Sequence, residues 1–327
     1  MRWPVSKSVA TLLIAGLVLS CAAEQEQSVA TPKKIRASAQ RYLGHAVAYL
    51  GVADSLFAYQ GLDLEIMTAG NASEALPLLL NGQIDVLFGS LTPGAMNAMA
   101  EGQPVRIVAV RNVFDKSSCS SANIVESMTR STTAEAPPVL SVDRDLAWAY
   151  LVQRALTLAG HDHAKFRWIS VPNLSEIEGL RKGTIDYALS GEPWFTRTIE
   201  AGVARPWLSL DSLMDGEAYT YVLFGPNLLQ KDRDAGAAVM RGYLEAVARY
   251  NGGKTNRNLD ILSVALGEQR DQLARTCWPA LSSDGRVDPS DIATFQAWAL
   301  AHRYIARAAT MDNIWDSSFV AAAGRHP

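Results

Sequence analysis

Hydrophobic and polar positions along this 327-residue chain open as one apolar block and then settle into two rounds of alternation. Val9 to Leu19 run apolar behind Arg2 and Lys7. That stretch is too short to span a bilayer and has the shape of a secretory signal peptide, so residues 1–20 are expected to be removed. From residue 35 the pattern breaks into short elements. Residues 35–40 predict a strand, Gly44-His45 turn into an apolar-periodic helix ending near Tyr59, and Gly61 stands where a C-terminal glycine cap belongs. Leu62 to Thr68 alternate as a second strand. Asn71, with Glu74 three residues on, opens a helix through Leu80, and Gly82 to Ser90 read as stop, strand and turn.

The same order returns about a hundred residues later. Val139 to Val142 form a strand, Leu146 to Leu158 a helix capped by Gly160, and Phe166 to Val171 a strand. Asn173 with Glu176 opens another helix, followed by Gly183-Thr184-Ile185-Asp186 and a strand to Gly191. Gly-x-Ile-Asp thus occurs twice, at Gly82 and Gly183, each time between a capped helix and a strand that ends in small residues. A short helix, a glycine (Gly102, Gly202) and an apolar strand follow each copy. Two such units predict an α/β protein of two doubly wound lobes, with a cleft beyond the carboxyl ends of the strands.

The crossings fall near Arg111 to Phe114 and Tyr219 to Gly225, giving a two-strand hinge. The expected division is residues 35–111 with 222–327 as lobe 1 plus C-terminal bracing helices, and 112–221 as lobe 2. Those helices are predicted at Ala235 to Tyr250, Asn256 to Leu266, Asp271 to Thr276 and Pro289 to Tyr304.

Charge and cysteine content narrow the function classes. With Arg2 and Lys7 removed, 28 basic face 33 acidic side chains. That balance excludes the basic footprint of a nucleic-acid binder. Val18-Leu19-Ser20-Cys21 resembles the lipobox of bacterial lipoproteins, which implies acylation of Cys21 and a polar tether over residues 21–34. The membrane would then be met through the lipid alone, at the periplasm or the outer face of the cell membrane. Cys119 and Cys277 are the remaining thiols in a compartment that permits disulfides, and the sequence leaves their pairing open.

Specific residues carry a family resemblance. Gly44-His45-Ala46, Gly51, Phe57 and Gln60-Gly61-Leu62-Asp63-Leu64-Glu65, then Glu74-Ala75-Leu76, Gly82-Gln83-Ile84-Asp85-Val86 and Gly89, resemble the N-terminal lobe of nitrate/sulfonate/taurine-type and thiamine-precursor substrate-binding proteins of ABC transporters. Glu192-Pro193 matches a position of their second lobe. The resemblance covers most of residues 35–305. It implies the type 2 periplasmic binding protein fold, a monomer that captures a small molecule without cofactor or chemistry, and an ABC permease and ATPase as partners. Many relatives carry Trp before the Glu-Pro; this chain has Gly191 there and Trp194 after it, so no relative's ligand transfers.

Candidate ligand contacts sit at the predicted turns: Gly44, His45, Asn71, Ser90 and Thr92 in the first lobe, Asp143, Arg144, Asn173, Glu192 and Trp194 in the second, and Arg111 at the crossing. Asn71 and Asn173 equally suit simple N-caps. Asp143 and Arg144 can pair with each other in solvent. A carboxylate at Glu192 would repel a bare oxyanion and prefers an amine, a heterocycle or a zwitterion, with Trp194 covering a flat or cationic face. The alternative pairs Glu192 with Arg111 or Arg144. His161-Asp162-His163 follows a helix cap and reads as a solvated loop, not a metal site. Two other classes share the clamp: a ligand-sensing lipoprotein, and a pyrimidine-synthesis-type enzyme, which would need a cysteine-rich motif that three scattered cysteines do not provide.

Overall fold

Each Gly-x-Ile-Asp repeat feeds the middle strand of its own sheet. A computed structural model of the chain describes Met1 and residues 31–120, 122–130, 136–142 and 146–324. The signal segment, Cys21 and most of the expected tether lie outside the described residues. The first half runs β1 (Lys33–Ser38), α1 (Ala46–Ala53), β2 (Leu62–Met67), α2 (Ala72–Leu80), β3 (Val86–Gly89), α3 (Pro93–Ala100) and β4 (Arg106–Val113). The second runs β5 (Ala122–Ser127), β6 (Val139–Ser141), α4 (Leu146–Leu158), β7 (Arg167–Ile169), α5 (Asn173–Lys182), β8 (Tyr187–Gly191), α6 (Trp194–Glu200), β9 (Ala204–Ser209) and α7 (Leu210–Leu213). The chain returns on β10 (Ala218–Phe224) and ends in α8 (Arg233–Asn251), α9 (Asn256–Leu266), α10 (Arg270–Arg275), α11 (Pro289–Ala301), α12 (Met311–Ile314) and α13 (Ser318–Ala323).

The strands pair in the orders β2-β1-β3-β10-β4 and β7-β6-β8-β5-β9. In each sheet the first three strands are parallel, and the fourth is the antiparallel one that has just arrived from the other half. β10 does not merely hinge, because it lies in the ladder of the first sheet from Ala218 opposite Val113 to Phe224 opposite Arg106. Both faces of this sheet are covered, which is why β10 is apolar at every position but Thr220. Tyr221 and Leu223 join a core shared with Ile124, Leu140 and Tyr187 of the second sheet and with Ile292 and Phe295 of α11. Val222 and Phe224 join the opposite core with Leu50, Val239 and Leu262 of α1, α8 and α9.

The helix predicted through Tyr59 stops at Ala53. Asp54 follows and Ser55 takes a left-handed φ of 59°, turning Leu56 and Phe57 back into the core before Gly61 closes the turn at φ 75°. The last long helix stops at Ala301, short of the predicted Tyr304. Cys119 and Cys277 are joined, with Cα atoms 5.8 Å apart. The bridge ties the segment entering the second sheet to the helical brace behind α10. Arg197 to Glu268 and Arg275 to Glu200, the latter at 2.9 Å, link α6 to the same brace. Among the described residues no helix is long and apolar enough to cross a membrane.

Candidate ligand-binding cleft

The carboxyl ends of the strands and the starts of the helices that follow them enclose a cavity of about 400 Å³. Ser38 at the end of β1, Ser90 after β3 and Glu192 after β8 stand on its wall, as do Gly44, His45 and Asn71 ahead of α1 and α2. The paired crossing strands supply Arg111, Asn112, Tyr219 and Thr220. One hydrogen bond spans the cleft: Asn173 Nδ2 donates to Tyr42 Oη at 2.9 Å, joining the start of α5 to the loop before α1.

Arg111 dominates the electrostatics. It is 3% exposed, and among the described residues no carboxylate lies within ion-pair distance of it. Burial pushes its pKa down to about 10, so it stays charged at neutral pH. Its Nε donates to Thr220 Oγ1 at 3.2 Å, and Thr220 Oγ1 donates to Asn112 Oδ1 at 2.6 Å. This chain of bonds fixes the guanidinium while Nη1 is left buried with no partner among the described residues. His45 Nδ1 and Tyr250 Oη, also on the wall, are buried and unpartnered. The His45 imidazole titrates well below its ordinary value, first because it is buried and then because Arg111 is near, so it is neutral.

The structure brings together Gly44, His45, Asn71, Ser90, Arg111, Asn173 and Glu192, and leaves others aside. Thr92 caps α3, accepting from Ala95 N at 3.2 Å, and is not on the wall. Trp194 lies under the Arg197 guanidinium, 4.8 Å from its ring centroid, and does not reach the cavity. Asp143 and Arg144 lie outside the described residues. Asn71 does both jobs expected of it, since it lines the cavity and accepts from Glu74 N at 3.0 Å. Asn173 is not the cap of α5; Pro172 holds that position, which frees the Asn173 amide for Tyr42.

Among the described residues Glu192 forms no ion pair, with Arg111 or with any other cation. Its carboxylate accepts from Thr196 Oγ1 at 2.8 Å, Thr196 N at 3.1 Å and Cys277 N at 3.2 Å, capping the first turn of α6. Burial raises its pKa against these three bonds. The expectation of an amine, heterocycle or zwitterion rests on Glu192 as an unpaired carboxylate, and its oxygens already accept three protein hydrogen bonds. The aromatic wall of Tyr42, Trp148, Tyr219 and Tyr250 was not legible in advance. Tyr219 sits in a stretch read only as hinge, and Trp148 and Tyr250 sit inside helices whose periodicity fits core packing equally well. Among the described residues no cluster could hold a metal ion. His161 packs on Trp207 with ring centroids 4.8 Å apart, and Asp162 accepts from Ala164 N.

Residues 40–263 match the model of the NMT1-like family, more than half of the chain. The chain belongs to the NMT1-like family. No curated protein matches this NMT1-like chain in sequence. In fold it is similar to the nitrate-binding protein NrtA of Synechocystis PCC 6803, at 16% identity and a TM-score of 0.71 over 90% of this chain and 88% of that one. It is similar to the ligand-binding component of an ABC-type import system from Staphylococcus aureus, at 15% identity and 0.71 over 90% and 100%. It is also similar to the periplasmic aliphatic sulphonate-binding protein SsuA of Escherichia coli, at 15% and 0.66 over 88% and 99%. The NMT1-like chain therefore has the type 2 periplasmic binding protein fold, two α/β sheets facing each other across a cleft, and these neighbours are binding proteins.

Proposed function

We propose that the chain is an extracytoplasmic solute-binding protein that captures a small organic molecule between its lobes and presents it to the permease and ATPase of an ABC importer. The observation that carries this is the cleft itself: a cavity lined from both sheets and from the strands between them, bridged by Tyr42 and Asn173. A ligand held there touches both halves, so its greater affinity for the closed form shifts the equilibrium towards closure. The importer would read closure. A Cys21 lipid anchor would hold the protein at the membrane surface, and loss of incorporated fatty acid in Cys21→Ala tests that part separately. Two of the fold neighbours, SsuA and NrtA, are periplasmic, which supports an extracytoplasmic site. The enzyme reading asked for a cysteine-rich motif, and Cys119 and Cys277 are consumed by their bridge.

The test is small-angle scattering and thermal melting with and without small solutes. Binding at a hundred times the dissociation constant adds about 2.7 kcal/mol. A solute that raises the melting temperature and reduces the radius of gyration supports the clamp. A solute that stabilises without compaction removes it.

A further inference from the structure

We propose that the cleft takes an aromatic monoanion, a planar ring bearing one carboxylate or sulfonate, with its charge on Arg111 and its ring against Trp148 and Tyr219. This rests on the binding-protein reading above and names the class of its solute.

The charge comes from what Arg111 lacks. A guanidinium this deeply buried without a counter-ion is unfavourable, and an incoming oxyanion would supply the missing partner, with charge-assisted bonds to Nη1. Thr220 and Asn112 already hold the Nε side, so the free edge of the fork is oriented before ligand arrives. His45 adds a polar edge without adding charge, leaving Arg111 as the one cation on the wall among the described residues, matched to one anionic group. The carboxylates on the wall face away from such a ligand in chemistry: Glu192 is satisfied by Thr196 and Cys277, and Glu176 accepts from Ser141 Oγ at 2.7 Å. A second negative charge on the solute would meet these carboxylates, with no second cation on the wall among the described residues to offset it.

The ring comes from volume and wall. A cavity of about 400 Å³ suits an organic molecule, and a bare inorganic oxyanion would leave most of it empty. Trp148 and Tyr219 lie with ring centroids 5.7 Å apart, and Tyr219 is held in place by stacking on Phe114 at 4.2 Å. Position adds a third argument. Arg111 lies on β4, the strand by which the chain leaves the first sheet, so an anion bound there sits where the two halves meet.

The experiment uses the purified full chain, with melting curves and calorimetric titration against benzoate, benzenesulfonate and naphthalene-2-sulfonate. Benzamidine serves as a cation of similar shape, benzyl alcohol as a neutral ring, and methanesulfonate and nitrate as anions without one. Aromatic anions should bind at least about tenfold tighter than any of these four, and Arg111→Gln should weaken them by about 10- to 100-fold. Trp148→Leu should weaken naphthalene-2-sulfonate and leave methanesulfonate unchanged. Equal or tighter binding of benzamidine, benzyl alcohol or nitrate overturns the class and leaves the binding-protein reading standing. Silence from every probe overturns both. If Arg111→Gln does not fold, the wild-type ranking among probes still decides, since it needs no variant.

Discussion

Arg111 sets stability and function against each other in the unliganded protein. Its charge is buried with no acid beside it among the described residues, so a neutral side chain should relieve the unliganded protein. Arg111→Gln is expected to melt a degree or more higher than wild type without ligand, a gain on the order of 1 kcal/mol. A lower melting point would mean that the bond to Thr220 outweighs the unpaired charge. His45 gives the acid side of the stability profile a definite sign. Its folded pKa lies below the unfolded value of 6.5, so the stability it contributes is present above that value and is lost as pH falls towards the folded one. His45→Asn should flatten this decline, checked as the difference in melting temperature between variant and wild type from pH 7.5 to 4.5. Parallel curves would refute the assignment.

Single elements show how far the sequence carries and where it stops. In sequence, Glu192 reads as the ligand's partner because an unpaired carboxylate at the mouth of a cleft prefers a donor or a cation. What the sequence could not display is that Cys277, 85 residues away, brings its backbone N–H to the same oxygen. Glu192→Gln should therefore destabilise the whole fold by about 1–3 kcal/mol, as denaturant titration would show, with ligand preference unchanged. Arg111 was found for its place at the crossing, and Gly44, His45, Asn71, Ser90 and Asn173 because strand-to-helix turns have local grammar. Trp148, Tyr219 and Tyr250 were missed because an aromatic in an apolar period reads the same whether it faces a core or a cavity. The parallel strands were legible from their periods, whereas the insertion of β10 between β3 and β4 depends on pairing between residues more than a hundred positions apart. Tyr42 belongs with the missed group, and its bridge to Asn173 holds the cleft's two rims together. Tyr42→Phe should weaken ligand by about 2- to 10-fold through faster release, measured as a dissociation rate, with little change in unliganded melting.

For the molecule as a whole, the two sheets share one core along α11, and the first also carries the helices α8 to α10 on its other face. The second sheet depends on that brace at α6, through Arg197 and Arg275, and at Cys119. Replacing both Cys119 and Cys277 with serine should lower stability by about 2–5 kcal/mol, seen as an earlier denaturant midpoint, because the bridge closes a loop of 158 residues in the unfolded chain. An unchanged midpoint would show that the brace holds without it.

The same bridge bears on survival after damage. Every peptide bond between Cys119 and Cys277 lies inside a covalent ring, so a protease that cuts there once leaves two fragments still joined. The exposed Met128 and Leu174 lie within that ring. A nicked molecule should run as two bands on a reducing gel and as one without reductant, and the single-band form should still respond to solute. If the protein works outside the cytoplasm, as proposed, among proteases and beyond the reach of resynthesis, a cut that would otherwise detach part of the chain becomes a scar.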